Sequence, residues 1–321
     1  MIVTVTPNPS LDRTLEVDEL RRGEVVRANA QRSDPGGKGV NVSRALVANA
    51  HPSRAVLPLG GPDGELLASL LGDLGIEVAA LPIADEIRSN VTVVEPDGTV
   101  TKLNAPGPRL SEDEVEALLE RAVAAAEGAE WVVASGSLAP GMPEDLHARL
   151  VETVRAAGAR VAVDTSGVAL ERVLSTGPDL VKPNEEELSE ATGVTPETLG
   201  DVVLAATELR SKGVGAVLVS LGPNGAVLVG DGEPLHAESG ALVPRSTVGA
   251  GDALLAGFLA AGARDPQALV EGVAWGAAAC ALPGTAVPGP GDILRDRVRF
   301  GSVDPDRRLG PREGLRRSTH A

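Results

Sequence analysis

With 321 residues and 43% hydrophobic content, the chain has room for one large α/β domain or two ordinary ones, and disorder is excluded over most of it. A net charge of −16 and a shortage of aromatics (two Phe, two Trp, no Tyr) argue against DNA as a partner and against a base-stacking surface. The lone Cys280 cannot form an intramolecular disulfide, no leader pattern opens the sequence and no apolar run reaches bilayer length, so a cytoplasmic protein without membrane contact is expected.

Residues 1–6 alternate apolar and β-branched side chains and stop at Pro7, which predicts a first strand entering a loop. Residues 15–17 and 25–28, divided by Arg22-Gly23, predict a short hairpin. After Pro35-Gly36-Gly37-Lys38-Gly39, apolar residues three to four apart predict a helix over 40–48. Residues 90–95 and 99–103 flank Pro96-Asp97-Gly98, a second hairpin whose Asp-Gly pair accommodates positive φ. Ser111 with Glu114 three residues on is a capping box, and the helix it opens runs to about Gly128.

From there the pattern is regular. Residues 131–134 predict a buried strand, 143–157 a helix and 160–163 a strand ending at Asp164. Helices follow over 185–192 and 195–212, strands over 216–220 and 226–229, and helices over 253–263 and 266–281. Strands alternating with helices predict an α/β protein with a mostly parallel sheet covered on both faces. The two early hairpins interrupt that alternation and predict a separate small sheet projecting from the main domain. Beyond Asp292 the chain is rich in Arg, Pro and Gly with no sustained apolar period, so residues 292–321 are expected to form a loose tail.

Charge is distributed unevenly. Residues 1–60 hold eight Lys/Arg against six Asp/Glu, and residues 292–321 hold eight against five, inside a strongly acidic protein. A small anionic ligand is therefore best received near the N-terminal segment. Lysine is scarce, four against 25 arginines, which draws attention to Lys38 and Lys182 in glycine- and proline-marked turns.

Four segments carry candidate chemistry. In Thr247-Val248-Gly249-Ala250-Gly251-Asp252, two glycines open an apolar helix, so backbone N–H groups and the helix dipole converge on an anion site. Asp252 falls in that first turn, where it serves either as a base for a hydroxyl attacking a phosphoryl group or as plain compensation of the dipole. Asp34-Pro35-Gly36-Gly37-Lys38-Gly39-Val40-Asn41 is a second glycine loop opening a helix, with Lys38 as cation and Asn41 as a two-way hydrogen bonder; a flexible loop is its bland alternative. In Lys182-Pro183-Asn184-Glu185-Glu186-Glu187, Asn184 and Glu187 share a helix face and suit a hydrated Mg2+, but the same pair is also a capping box. Ser220-Leu221-Gly222-Pro223-Asn224-Gly225 has glycines that suit a nucleotide and equally suit a tight turn. Neither a P-loop nor a dinucleotide fingerprint occurs, and the four His have no metal-ligand spacing.

In this order, the segments resemble the ribokinase-like (PfkB) sugar kinases over residues 1–290. Pro35-Gly36-Gly37-Lys38-Gly39-Val40-Asn41-Val42 is similar to the family's first signature, and Thr247-Val248-Gly249-Ala250-Gly251-Asp252-Ala253 to its second. Thr6-Pro7-Asn8-Pro9-Ser10-Leu11-Asp12, Asn104-Ala105-Pro106-Gly107-Pro108 and the lysine of Gly37-Lys38-Gly39 resemble the branch that phosphorylates ketohexose phosphates, nearest to 1-phosphofructokinases and tagatose-6-phosphate kinases.

The resemblance implies a doubly wound sheet over residues 1–291 with a small β-lid from about 12–33 and 87–106. It also implies phosphoryl transfer from ATP with Mg2+ and stimulation by K+; lid strands with exposed edges often pair between subunits, so a homodimer joined through the lid is expected. Asp252 would be the base, with Gly249, Ala250 and Gly251 holding the transferred phosphoryl group. Asp12, Gly37, Asn41 and Ser137 would hold the sugar, and Lys38, Arg88 and Arg27 its existing phosphate. Lys182, Asn184, Ser220, Gly222, Gly225 and Thr247 would face the nucleotide, with Asn184 and Glu187 reaching the metal through water. Two departures stand out. Ile87 replaces a usual Thr, and Leu282-Pro283-Gly284-Thr285 replaces a more polar loop beside the adenine, where the cation effect would arise.

Overall fold

The computed structural model of the chain describes residues 1–240 and 242–310. Strand β1 (Ile2–Val5) leads into the hairpin of β2 (Ser10–Glu16) and β3 (Ala30–Gly36), followed by α1 (Lys38–Ala48), β4 (Ser53–Leu59), α2 (Gly61–Asp73) and β5 (Glu77–Pro82). A second hairpin, β6 (Arg88–Val94) and β7 (Val100–Leu103), precedes α3 (Glu112–Ala126). The central run is β8 (Trp131–Ser135), α4 (Leu146–Ala156), β9 (Arg160–Asp164), α5 (Gly167–Leu174), β10 (Leu180–Val181), α6 (Glu185–Thr192), α7 (Leu199–Ser211) and β11 (Ala216–Ser220). The chain closes with β12 (Ala226–Val229), β13 (Leu235–Ser239), α8 (Ala250–Ala260), α9 (Pro266–Cys280) and β14 (Val298–Ser302).

Ten strands form one sheet in the order β5-β4-β1-β8-β9-β10-β11-β12-β13-β14. Pairings from β5 to β11 are parallel, and the three strands beyond are antiparallel. The period-2 alternation of side chains divides each central strand between two cores. Val132 and Ala134 of β8 pack with Leu118, Val151 and Val202 beneath α3, α4 and α7. Trp131 and Val133 pack on the other face with Val42, Leu255 and Phe258 of α1 and α8. The chain winds outward from β1 through β4 to β5, then returns to β8 and proceeds the other way, so the order reverses between β1 and β8. Parallel sheets bind ligands at the carboxyl ends of the strands flanking such a reversal.

Helices α8 and α9 approach closely. A Cβ on Gly257 would lie 2.7 Å from the Trp275 ring, and one on Gly272 would lie 2.9 Å from the Leu254 carbonyl oxygen. These glycines permit the close packing of α8 on α9.

The small sheet has the order β3-β2-β6-β7, with β2 and β6 parallel in the middle and β3 and β7 as open edges. Its first hairpin differs from expectation. The ladder joins residues 10–16 to 30–36, while residues 25–28 lie in the connection. Alternating apolar residues mark a half-buried strand, but this sheet displays Asp12, Arg13 and Asp34 on its strands and is paired through its backbone instead.

Residues 292–310 are not a loose tail. β14 pairs with β13 over five registers, Leu199 N–H donates to Arg307 O at 2.9 Å, and Gly310 N–H donates to Asn224 Oδ1 at 3.1 Å. Backbone bonds and the Arg307–Glu238 ion pair fix this segment, and neither leaves an apolar period to be read. Residues 311–321 of the expected tail lie outside the described residues.

Candidate active site

At the amino end of α8, Gly249 adopts φ +77°, and the first intrahelical bond runs from Ala253 N–H to Gly249 O at 2.8 Å. The preceding N–H groups are first-turn donors aimed out of the helix. Ala250 is partly engaged, donating a long bond of 3.4 Å to Thr247 O. Asp252 projects from this turn and is only 7% exposed. Its Oδ2 accepts from Asn41 Nδ2 at 2.9 Å, which joins the starts of α1 and α8. Burial and the nearby charge of Asp164 lift its pKa to about 6, against the Asn41 hydrogen bond and the ammoniums of Lys182 and Lys38. Near neutrality it is an ionised carboxylate of raised proton affinity, which is what a general base requires.

Arg44 orients Asn41. Its Nη1 donates to Pro35 O at 3.0 Å and to Asn41 Oδ1 at 3.3 Å, leaving the Asn41 amide nitrogen to face Asp252. Arg44 was not anticipated, because an Arg inside an apolar helix period reads as a surface residue.

Two lysines lie beside this carboxylate. Lys182, after β10, is 4% exposed and its Nζ lies 3.0 Å from Asp164 Oδ2. A Cβ on Gly251 would lie 3.3 Å from the same Nζ, so the ammonium sits against the amino end of α8. Lys38, at the start of α1, donates to Asp164 Oδ1 at 2.7 Å and lies 3.4 Å from Glu187 Oε1. Burial opposes its charge, but Asp164 and Glu187 outweigh burial and hold its pKa above the ordinary lysine value. Lys38 is thus paired with Asp164 and Glu187 and lies within the electrostatic reach of Asp252.

Asn184 caps α6. Glu187 N–H donates to its Oδ1 at 2.8 Å, and Glu187 Oε2 accepts from Asn184 N–H at 2.9 Å, a complete capping box. The other oxygen, Oε1, is free of the cap and turned toward Lys38. The described residues contain no cluster of three or more acidic, His or Cys side chains able to hold a metal ion. Direct coordination is not built among the described residues, whereas a carboxylate oxygen outside the capping box, at a long 3.4 Å from Lys38, fits an Mg2+ that arrives with phosphates and keeps most of its waters.

On the sugar side, Asp12 accepts from Ser10 Oγ at 2.7 Å and from Asn90 Nδ2 at 2.9 Å. Arg88 donates to Ala105 O at 3.2 Å and to Asn8 O at 3.0 Å, while its buried Nε has no protein partner. Burial draws the Arg88 pKa below its ordinary value, with Asp12 opposing, and it remains a cation at any physiological pH. Asn8 donates to Pro106 O at 3.0 Å and Ser137 Oγ at 3.4 Å, so it links β1, the second lid hairpin and the end of β8. Ser137 itself is exposed at the rim.

Two expected residues lie outside the contacts just described. Arg27 is exposed in the connection between Glu16 and Ala30, at the far end of the first lid hairpin from Asp12. Gly225 is required by the sheet, since a Cβ there would lie 2.0 Å from Ala237 O, whereas Gly222, at φ +55°, has open space before it. Gly37 (φ +114°), Ser220 and Thr247 line the approaches to α1, β11 and α8 respectively.

A family model described as the pfkB family of carbohydrate kinases matches residues 8–290. The chain belongs to the pfkB family. The 1-phosphofructokinase of Haloferax volcanii is 40% identical over 302 residues, covering 93% of this chain and 97% of that one. The ATP-dependent 6-phosphofructokinase isozyme 2 of Mycobacterium tuberculosis is 38% identical over 300 residues, covering 92% and 88%. A crystal structure of the phosphofructokinase-2 from Escherichia coli in complex with potassium superposes with a TM-score of 0.86 at 36% identity, over 91% of this chain and 96% of that one. The ribokinase-like fold, the pfkB signatures and the phosphotransferase class expected from the sequence are thereby established. No helix of the described residues is long and apolar enough to cross a membrane.

Proposed function

We propose that this pfkB-family kinase transfers the γ-phosphoryl group of ATP to the free primary hydroxyl of a ketohexose phosphate, with fructose 1-phosphate converted to fructose 1,6-bisphosphate. The observation that carries the reading is the buried carboxylate of Asp252, held by Asn41 beside the free N–H groups of α8 and the ammonium of Lys182. In this reading Asp252 removes the hydroxyl proton as the oxygen attacks phosphorus. The first-turn N–H groups of α8, with Lys182 and Lys38, stabilise charge on the transferred group. Asp12 and Asn41 hold sugar hydroxyls. The partnerless Nε of Arg88, under the lid, offers a fixed cation to the phosphate already on the sugar. Asn184 and Glu187 would hold an Mg2+ through water, and the ion would supply charge neutralisation at the nucleotide phosphates.

Fructose 1-phosphate is preferred on two grounds. The 1-phosphofructokinase of Haloferax volcanii is similar over nearly its whole length, and Lys38 stands in the glycine loop as in that branch. An ADP-release assay with fructose 1-phosphate, tagatose 6-phosphate and fructose 6-phosphate tests this, and a preference for either 6-phosphate overturns it. Catalytic silence, as in a sugar-phosphate sensor, would show as no ATP turnover with any of the three. K+ stimulation is tested in the same assay by exchange for Na+.

The proposed homodimer joined through the lid is supported by its open edges β3 and β7, the latter exposing Val100 and Leu103. Sedimentation of the intact chain and of a Leu103→Lys variant tests it. The cytoplasm, where ATP is supplied, is the proposed compartment, tested by cell fractionation.

A further inference from the structure

Asp164 lies at the carboxyl end of β9, only 1% exposed, and no sequence pattern singled it out. Each of its oxygens meets an ammonium from a different element. Oδ1 accepts from Lys38 at the start of α1 at 2.7 Å, and Oδ2 lies 3.0 Å from Lys182 after β10. Burial alone would lift its pKa, but Lys182 and Lys38 hold it below the ordinary Asp value, so the group is an anion between two cations.

The backbone around Asp164 is fixed to match. Gly136 N–H donates to Asp164 O at 3.0 Å, and Lys182 N–H donates to Val163 O at 2.9 Å. Gly136 O in turn accepts from Thr165 Oγ1 at 3.1 Å and is met by the fully buried His147 ring at 3.1 Å. A buried side chain supported in this way has one position. An ammonium on a four-carbon stem, by contrast, has many rotamers to lose unless something holds it.

We propose that Asp164 is a positioning residue that clamps Lys38 and Lys182 together, setting both ammoniums against the amino end of α8 where the phosphoryl group is transferred. Lys182 already lies against Gly251, and Lys38 is held by the other oxygen of the same carboxylate. Asp164 touches neither the sugar nor the nucleotide in this account. It acts through the lysines, and its charge also faces Asp252 together with Lys38 and Lys182, while Asn41 donates a hydrogen bond to that base. Glu187, on the remaining side, faces Lys38. Removing the Asp164 charge would therefore loosen two cations and make Asp252 a weaker base in one step.

This inference rests on the phosphoryl-transfer reading, which wild-type ATP turnover tests by itself. Given turnover, the test is a double-mutant cycle over Asp164→Asn, Lys38→Met and their combination, read as kcat and as KM for the sugar phosphate. Asp164→Asn is expected to lower kcat about 100-fold, the scale of losing preorganised charge at a transition state, with less than about threefold change in sugar-phosphate KM. In the Lys38→Met background the same change should cost at least tenfold less. The acid limb of kcat/KM should move to lower pH in Asp164→Asn, which a merely structural role would not produce.

If Asp164→Asn leaves the buried Lys182 ammonium without its anion and fails to fold, Asp164→Asn/Lys38→Met restores the net charge and carries the pH measurement. The same cycle read as thermal stability needs no turnover, and coupling between Asp164 and Lys38 is expected there too. Full additivity in both cycles overturns the clamp. So does an Asp164→Asn enzyme whose only defect is a higher Mg2+ requirement with normal rate at saturation, since that would assign the carboxylate to the metal.

Discussion

Asn41 and Asp252 stand 211 positions apart in the chain and meet at 2.9 Å, amide nitrogen to carboxylate oxygen. Each lies in the first turn of a helix preceded by glycines, and both helices start at the carboxyl edge of the large sheet. The contact therefore joins two anion-favouring helix ends at one point, with the proton acceptor between them. Asp252→Asn keeps the shape and the Asn41 contact but removes the base. We expect kcat to fall by about 10²–10⁴-fold, with sugar-phosphate affinity by equilibrium binding changed only slightly.

The pH profile should report the same carboxylate. Asp252 must be ionised to accept a proton, and its pKa is lifted to about 6. Activity should therefore rise through an acid limb near pH 6 and level off above it. Asn41→Ala removes a hydrogen bond that favours the anion, so the limb should move to higher pH. A limb that stays in place in this variant would separate Asp252 from the titration.

Stability against pH should show two buried groups working in opposite directions. Asp252 has a folded pKa raised above its unfolded value of 3.8, so its contribution is fully present below that value and is lost as pH rises through about 6. His147 has a folded pKa depressed to about 4 from 6.5, because burial disfavours the imidazolium. Its contribution is present above pH 6.5 and is lost as pH falls toward 4. Each shift corresponds to on the order of 2–3 kcal/mol, so the two nearly offset one another between pH 4 and 6. Asp252→Asn should be more stable than wild type at pH 7–8 by that order, with the gain vanishing near pH 4. Urea denaturation of both proteins across this range measures it.

The parts of the molecule that were legible in the sequence were those whose physics is local. The helices opened by Ser111 and Asn184 carry their capping boxes in adjacent residues, and both boxes are present. The glycine turn before Asp252 likewise announces an anion-favouring helix end. What was not legible depends on distant partners. Asp164 is an ordinary strand-end aspartate until two lysines converge on it. The partners of Lys38 are likewise remote: Asp164 and Glu187 lie 126 and 149 positions away. Position at the carboxyl end of a central parallel strand was the one clue to Asp164, and it depends on knowing the strand order.

Glycines that touch the site should separate into distinguishable classes on substitution. A Cβ on Gly36 would sit 2.4 Å from Asp12 Oδ2, and Asp12 is anchored by Ser10 and Asn90. Gly36→Ala should displace that carboxylate and raise sugar-phosphate KM about tenfold, the loss of roughly one hydrogen bond to a charged group, while leaving the KM for ATP nearly unchanged. Gly225→Ala meets the Ala237 carbonyl oxygen instead, so its effect should appear as lost thermal stability before any change in kinetics.

The segment after α9 gives the last test, because it distinguishes an ordered edge strand from a dispensable tail. β14 covers the edge of β13 over residues 235–239, and the chain then returns along the start of α7, where Leu199 and Gly200 donate to Arg307 O and Pro305 O. Deleting residues 298–321 would uncover a paired strand and free those two helix-start N–H groups together. At about 1 kcal/mol for each net hydrogen bond, the loss should reach several kcal/mol. The bare β13 edge should also promote association. Arg307→Ala removes only a half-exposed ion pair to Glu238 and should cost about 1 kcal/mol or less, without association. Thermal melts with light scattering on both variants separate the two cases. A deletion that melts like wild type would mean that the strand contributes nothing to the domain.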